Sequence, residues 1–118
     1  MPAAIFNGSY VKILKEELKA KSGGLFDKVS VSAKSTAFTA AVGFTYLINT
    51  GTAVTVTLPS AVTYAAIVFK DSTGTAGTNS ITITRADSAV IDGATTLVIS
   101  SNYGSAKIIS DGTNWFIT

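Results

Sequence analysis

Four carboxylates stand beyond residue 35 of this chain: Asp71, Asp87, Asp92 and Asp111. Two carboxylates at suitable separation are what glycoside hydrolysis needs, one as acid and one as base or nucleophile. Three of them, with loop carbonyls, are the raw material of a calcium site. Their sequence settings argue for a plainer role. Asp92 and Asp111 each precede a glycine, where the side chain satisfies donors of a tight turn. Asp71, Asp87 and Asp92 lack EF-hand spacing. The chain has no His and no Cys, which excludes Ser–His–Asp and Cys–His nucleophilic sites and imidazole or thiolate zinc sites. Gly74-Thr75-Ala76-Gly77 lacks the Lys-Ser/Thr of a phosphate loop, and strand residues follow it. Trp115, between Ile109 and Ile117, reads as packing in the core or a subunit interface rather than as a sugar platform. Tyr103 lies in the Ser101-Asn102-Tyr103-Gly104 turn and is expected at the surface. The expectation is a protein that is not an enzyme, with no catalytic residue, no metal and no cofactor.

The elements that would position these groups are mostly strands. At 118 residues, 47% apolar and 14% charged, the chain has the makings of one folded domain with a core. Thr and Ser replace the missing charge, and β-branched Thr suits an exposed strand face. Val29 and Val31 alternate with Ser30 and Ser32. Phe44-Thr45-Tyr46-Leu47-Ile48 follows, then Asn49-Thr50-Gly51 as a hairpin turn, then the clean alternation Val54-Thr55-Val56-Thr57-Leu58 closed by Pro59. The run from Tyr64 to Phe69 reads as a buried central strand, and the polar stretch 71–80 as a loop. Ile81-Thr82-Ile83-Thr84, Ala89-Val90-Ile91, Leu97-Val98-Ile99, Lys107-Ile108-Ile109 and Trp115-Phe116-Ile117 complete a ladder of short strands. Turn-bounded strands at this spacing predict a mainly β protein: a single antiparallel β-sandwich or jelly-roll-like domain over residues 25–118, without a strict internal repeat.

Residues 1–24 are different: an arm followed by a short amphipathic α-helix at 9–21. Tyr10, Leu14 and Leu18 recur every fourth residue with Val11 beside them, and Gly23 or Gly24 ends the helix. Six lysines, Lys12 and Lys15 among them, stand against three acids in residues 1–34, while three bases face four acids thereafter, for a net charge of +2. That total is too small to suggest nucleic acid, but the basic segment suits an acidic surface. No apolar run is long enough to span a membrane, and the start lacks the pattern of a signal peptide. Ile5, Phe6, Tyr10, Leu14 and Leu18 must be covered, either by one end of the β body or by a partner or symmetry mate.

Several short motifs, in order, resemble a β module of tailed-bacteriophage virion proteins. They are Thr55-Val56-Thr57-Leu58-Pro59, Phe69-Lys70-Asp71 with Gly74-Thr75-Ala76, Asn79-Ser80-Ile81-Thr82-Ile83, Ile91-Asp92-Gly93, Asn102-Tyr103-Gly104-Ser105, and Ser110-Asp111-Gly112-Thr113-Asn114-Trp115. The start, Ile5-Phe6-Asn7-Gly8 with Val11-Lys12 and Leu14, is similar to the attachment segment of such proteins. The module is shared by capsid decoration (cement) proteins, head fibres and tail fibres. The resemblance implies a non-enzymatic homotrimer in the virion, made in the host bacterial cytoplasm. The lack of shaft repeats or heptads favours a decoration protein on the outer capsid surface over a fibre. On that reading Ile5, Phe6, Tyr10, Val11, Leu14, Leu18, Lys12 and Lys15 bind the major capsid protein. The alternative it leaves is a head-fibre or tail-fibre module recognising host glycan through Tyr103, Trp115 or the 71–80 loop.

Overall fold

The computed structural model describes residues 30–118, and the arm and helix expected within residues 1–24 lie outside them. Nine strands follow in chain order: β1 (Ser30–Lys34), β2 (Phe38–Thr39), β3 (Phe44–Ile48), β4 (Val54–Thr57), β5 (Thr63–Asp71), β6 (Ile81–Thr84), β7 (Thr96–Ile99), β8 (Ser105–Asp111) and β9 (Trp115–Ile117). They form two sheets, β1-β3-β5-β8-β9 and β2-β4-β6-β7.

The pairing corrects the antiparallel expectation. β1, β3 and β5 run parallel in one sheet, and β2, β4 and β6 run parallel in the other. Successive strands therefore alternate between sheets, and the chain winds through three two-strand turns stacked on one another. Parallel neighbours need a long crossover, and here each crossover contains a strand of the opposite sheet. Only β7, β8 and β9 add in antiparallel fashion. The Asn49-Thr50-Gly51 segment is accordingly a corner between sheets and not a hairpin turn. Asp111-Gly112, in contrast, does join the antiparallel pair β8 and β9.

Alternation within each strand fills the space between the sheets. Val54, Val56, Ile81, Ile83 and Ile99 point in from the four-stranded sheet, and Tyr46, Ile48, Ile67, Phe69, Ile108 and Trp115 from the five-stranded one. Each such large side chain contributes about 1.5–3 kcal/mol when fully buried. Tyr46 stacks on Phe69 at 5.9 Å between ring centres and on Phe44 at 5.5 Å, while its hydroxyl accepts from the Ala41 N–H at 2.7 Å. β5 occupies the middle of its sheet as expected, with Ile67 and Phe69 buried. Tyr64 departs from that expectation: it is 92% exposed, with φ of 57°, where the β5–β8 register shifts. A bulge swings it out of the alternation.

The sheet edges are covered in different ways. Lys34, on the edge strand β1, places its Nζ 5.3 Å from the centre of the Phe38 ring, so a charge sits at that margin. At β9, the Trp115 N–H donates to the Val90 carbonyl, Trp115 O accepts from the Asp92 N–H, and Asp92 Oδ1 accepts from the Ile117 N–H.

Candidate functional site

Among the described carboxylates Asp71 is the one that is fully buried. The two-residue period that turns Ile67 and Phe69 inward carries Asp71 to the same side. On the neighbouring strand, Tyr46 and Ile48 turn inward in the same way and Thr50 follows. Ile48 and Asp71 are register partners, so Thr50 and Asp71 meet one step beyond the apolar rows. Asp71 Oδ1 accepts from Thr50 Oγ1 at 2.8 Å, Gly74 N–H at 3.0 Å, and both the N–H and hydroxyl of Thr73 at 3.1 and 3.4 Å. Oδ2 accepts from the N–H groups of Ala76 at 3.0 Å and Tyr103 at 2.9 Å. Burial alone would raise the carboxyl pKa. The donors from Thr50, Ala76, Tyr103 and Gly74 outweigh burial and hold it well below the usual carboxylate range.

This carboxylate ties three segments of the chain together. Thr50 Oγ1 lies 2.6 Å from Thr75 Oγ1, the Thr75 hydroxyl donates to Thr50 O at 2.7 Å, and Asn79 Nδ2 donates to Thr50 O at 2.9 Å. The Gly77 N–H donates to Asn102 Oδ1 at 2.8 Å. Tyr103 (φ 58°) lays its ring against Gly74, whose φ of 81° is a conformation that favours glycine. Lys70 Nζ donates to Tyr103 O and lies 5.8 Å from the centre of its ring. With both oxygens occupied by protein donors, Asp71 is a structural acceptor and not a proton-transfer group.

The other acids also accept backbone donors. Asp111 Oδ1 takes the Thr113 and Asn114 N–H groups, which hold its carboxyl below the usual value. Asp87 Oδ1 takes Ala89 N–H. Asp92 serves a distant donor, the Ile117 N–H, and not the local turn that its Asp-Gly context suggests. Among the described residues Asp71, Asp87 and Asp92 form no three-carboxylate cluster. Trp115 is 1% exposed and is core, so it offers no sugar platform. Tyr103 is exposed, as the turn predicted.

What remains outward is two contrasting faces. On the four-stranded sheet, Thr39, Thr57, Thr84 and Thr96 stand side by side across all four strands, with Thr55, Thr82 and Val98 in the next row. On the five-stranded sheet, Ile109 pairs with Phe116, and Val31 and Leu47 lie outward on β1 and β3. These four are between 37 and 52% exposed. Between the sheets, where β9 pairs no further along β8 than Ile108, a cleft of about 410 Å³ is lined by Leu97, Val98, Ile99, Ala106 and Ile117, with Lys107 at its wall.

The residues the sequence singled out for capsid binding (Ile5, Phe6, Tyr10, Val11, Leu14, Leu18, Lys12 and Lys15) all lie outside the described residues. The Asp71 hub and the apolar outer face were not anticipated. Both had a signal. Asp71 continues an inward two-residue row, and the pairs Ile108-Ile109 and Trp115-Phe116 are apolar on both sides of their strands, which a strand with one wet face does not require.

The family model described as "Bacteriophage T4 gp9/10-like protein, N-terminal" matches residues 7–114. No curated protein matches the chain.

Proposed function

This chain belongs to the bacteriophage T4 gp9/10-like N-terminal family, a family of phage structural proteins, and from that membership we propose that it is a capsid decoration subunit. It seats on the outside of a phage head as a homotrimer and clamps neighbouring major capsid subunits through its N-terminal segment. The observation that supports this reading is that all four carboxylates of the described body accept backbone N–H groups, leaving surfaces and not reactive groups on display. Ile5 and Phe6 are the anchors, with the Tyr10, Leu14 and Leu18 stripe behind them and Lys12 and Lys15 facing an acidic capsid exterior. Each anchor that is fully buried adds about 1.5–3 kcal/mol, and several arms on one assembly multiply weak contacts into firm attachment.

The test is rebinding. Purified protein is mixed with capsids stripped of it, and co-sedimentation is measured. The wild-type chain is expected to saturate the shell at hundreds of copies. Phe6→Asp should weaken binding by about ten- to a hundred-fold, the equivalent of one lost anchor. Normal decoration by a variant lacking residues 1–8 would overturn the reading. Saturable binding of a host glycan to the wild-type chain, lost in Tyr103→Ala, would instead support a fibre module.

A further inference from the structure

The space between the sheets is open on one flank. Ile117 pairs with Ile108, so the two share the inner face of the larger sheet. Ile108 is fully buried, whereas Ile117 is 43% exposed, at the cleft that Leu97, Val98, Ile99 and Ala106 also line. The strand beside that cleft has an open margin. β7 is the last strand of the smaller sheet and pairs with β6. The Arg85 N–H donates to Thr95 O and the Leu58 N–H to Thr84 O, so Ile81, Ile83 and Arg85 turn their backbone groups towards β7. Their partners are Ile99, Leu97 and Thr95. Thr96 and Val98 therefore turn N–H and C=O away from β6, to the open margin. Of the four terminal strands among the described residues, β1 carries Lys34, β9 is covered by residues 90–92 and β2 has two residues. β7 has four residues, Thr96–Ile99, and no charge. Outward-turned backbone groups beside an uncovered apolar row fit an extended peptide strand. Residues 1–29 join the body at Ser30, on the far margin of the larger sheet. A second copy would bring its own β7, which has no acid to offer Lys107 at the cleft wall. A strand of another protein, apolar at alternate positions and with an acidic residue beside Lys107, matches the edge, the apolar row and the charge together.

We propose that an extended segment of the major capsid protein adds to β7 as a fifth strand of the smaller sheet. Its backbone pairs with Thr96 and Val98, and its inward side chains close over Leu97 and Ile117. The choice of partner rests on the decoration reading, whereas the open edge does not.

The probes are short overlapping synthetic peptides that span the major capsid protein of the same phage. Each is titrated into the full chain, with binding read by fluorescence anisotropy and amide exchange followed residue by residue by NMR. One peptide should bind saturably. The Thr96 and Val98 N–H groups, fast to exchange in the free chain, should then become protected. Val98→Pro removes an N–H at an exposed edge position that tolerates proline. It should weaken binding about ten-fold or more, with a thermal melt to show that the variant is folded. Val98→Thr keeps the N–H and should bind within about two-fold of wild type. Lys107→Glu should weaken binding about three-fold. Full binding by folded Val98→Pro overturns the inference. So does slow exchange at Thr96 and Val98 in the free chain, which needs no variant, since residues 1–29 or a second copy would then hold the edge. Peptides that fail to bind, while the whole chain decorates stripped capsids, sink this inference alone. A peptide that pairs with β7 of a chain that ignores capsids sinks the decoration reading and leaves the strand-accepting edge standing. Failure of both the peptides and the capsids to bind ends both.

Discussion

The two outer faces of this protein are built by the same rule and carry different residues. Both sheets bury one residue in two, and the buried residues are interchangeable in kind: Ile, Val, Leu and aromatic rings. The outward residues diverge. Four threonines in register cross the smaller sheet, whereas Val31, Leu47, Ile109 and Phe116 are spread over the larger one. Threonine keeps the β-branched shape that favours a strand while leaving a hydroxyl for water. Inward positions build the core in both sheets, and outward positions are free to differ, so a surface can be rewritten without rewriting the core.

The most severe way to break the comparison is to remove the body that both faces share. Asp71→Ala leaves the N–H groups of Gly74, Ala76 and Tyr103 without their acceptor and should cost about 3 kcal/mol or more. A denaturant melt reads this directly. A loss under about 1 kcal/mol would show that the hub does not hold the corner loops.

Acid probes the same group without mutation. The folded carboxyl lies below its unfolded value of about 3.9, so the unfolded chain takes up the proton more readily as pH falls. The stabilisation is present in full above about pH 5 and is lost progressively as pH drops through 4 and towards the folded value. Melting temperatures measured from pH 7 to pH 2 should show this fall, and Asp71→Ala should flatten it. An equally steep fall in the variant would assign the acid sensitivity to other groups.

A milder change sharpens the contrast between the faces. Thr57→Val together with Thr84→Val turns the centre of the threonine row apolar while keeping β-branched side chains. Stability should move by less than about 1 kcal/mol, yet new self-association should appear in light scattering. If the doubly substituted face stays inert, apolarity is not what separates the two surfaces. The smallest effect is expected from Leu47→Thr, an exposed position on β3, where a thermal melt should register a change within about 0.5 kcal/mol.

Much of this architecture was legible in the residues, and the misreadings are instructive. The strands around Tyr46, Val56, Ile83 and Ile108 follow from alternation, and the Asp111-Gly112 turn from its turn chemistry. Parallel pairing was not legible, because a strand with one buried face alternates identically beside a parallel or an antiparallel neighbour. Asn49-Thr50-Gly51 is equally suitable as a hairpin or as a corner between sheets. Thr50 went unremarked there, although its side chain is one of the donors to Asp71. Tyr64 looked like core because its neighbours are apolar, and a bulge that no local pattern announces turned it outward. Asp71 looked like the first residue of a polar loop, and only the meeting of three segments made it a buried acceptor.

By itself, the sequence determined that the chain would form strands and where most of them lie. It also ruled out nucleophilic chemistry that depends on His or Cys, and it set a basic, apolar segment ahead of a charge-poor β body. These are local properties, carried by side-chain type and a period of two. Tertiary structure alone decided which strands became neighbours, in which direction they ran, and which outward residues came together as one apolar or one threonine face. Those outcomes depend on contacts between residues far apart in the chain, and the same alternation is compatible with several such arrangements until packing selects one.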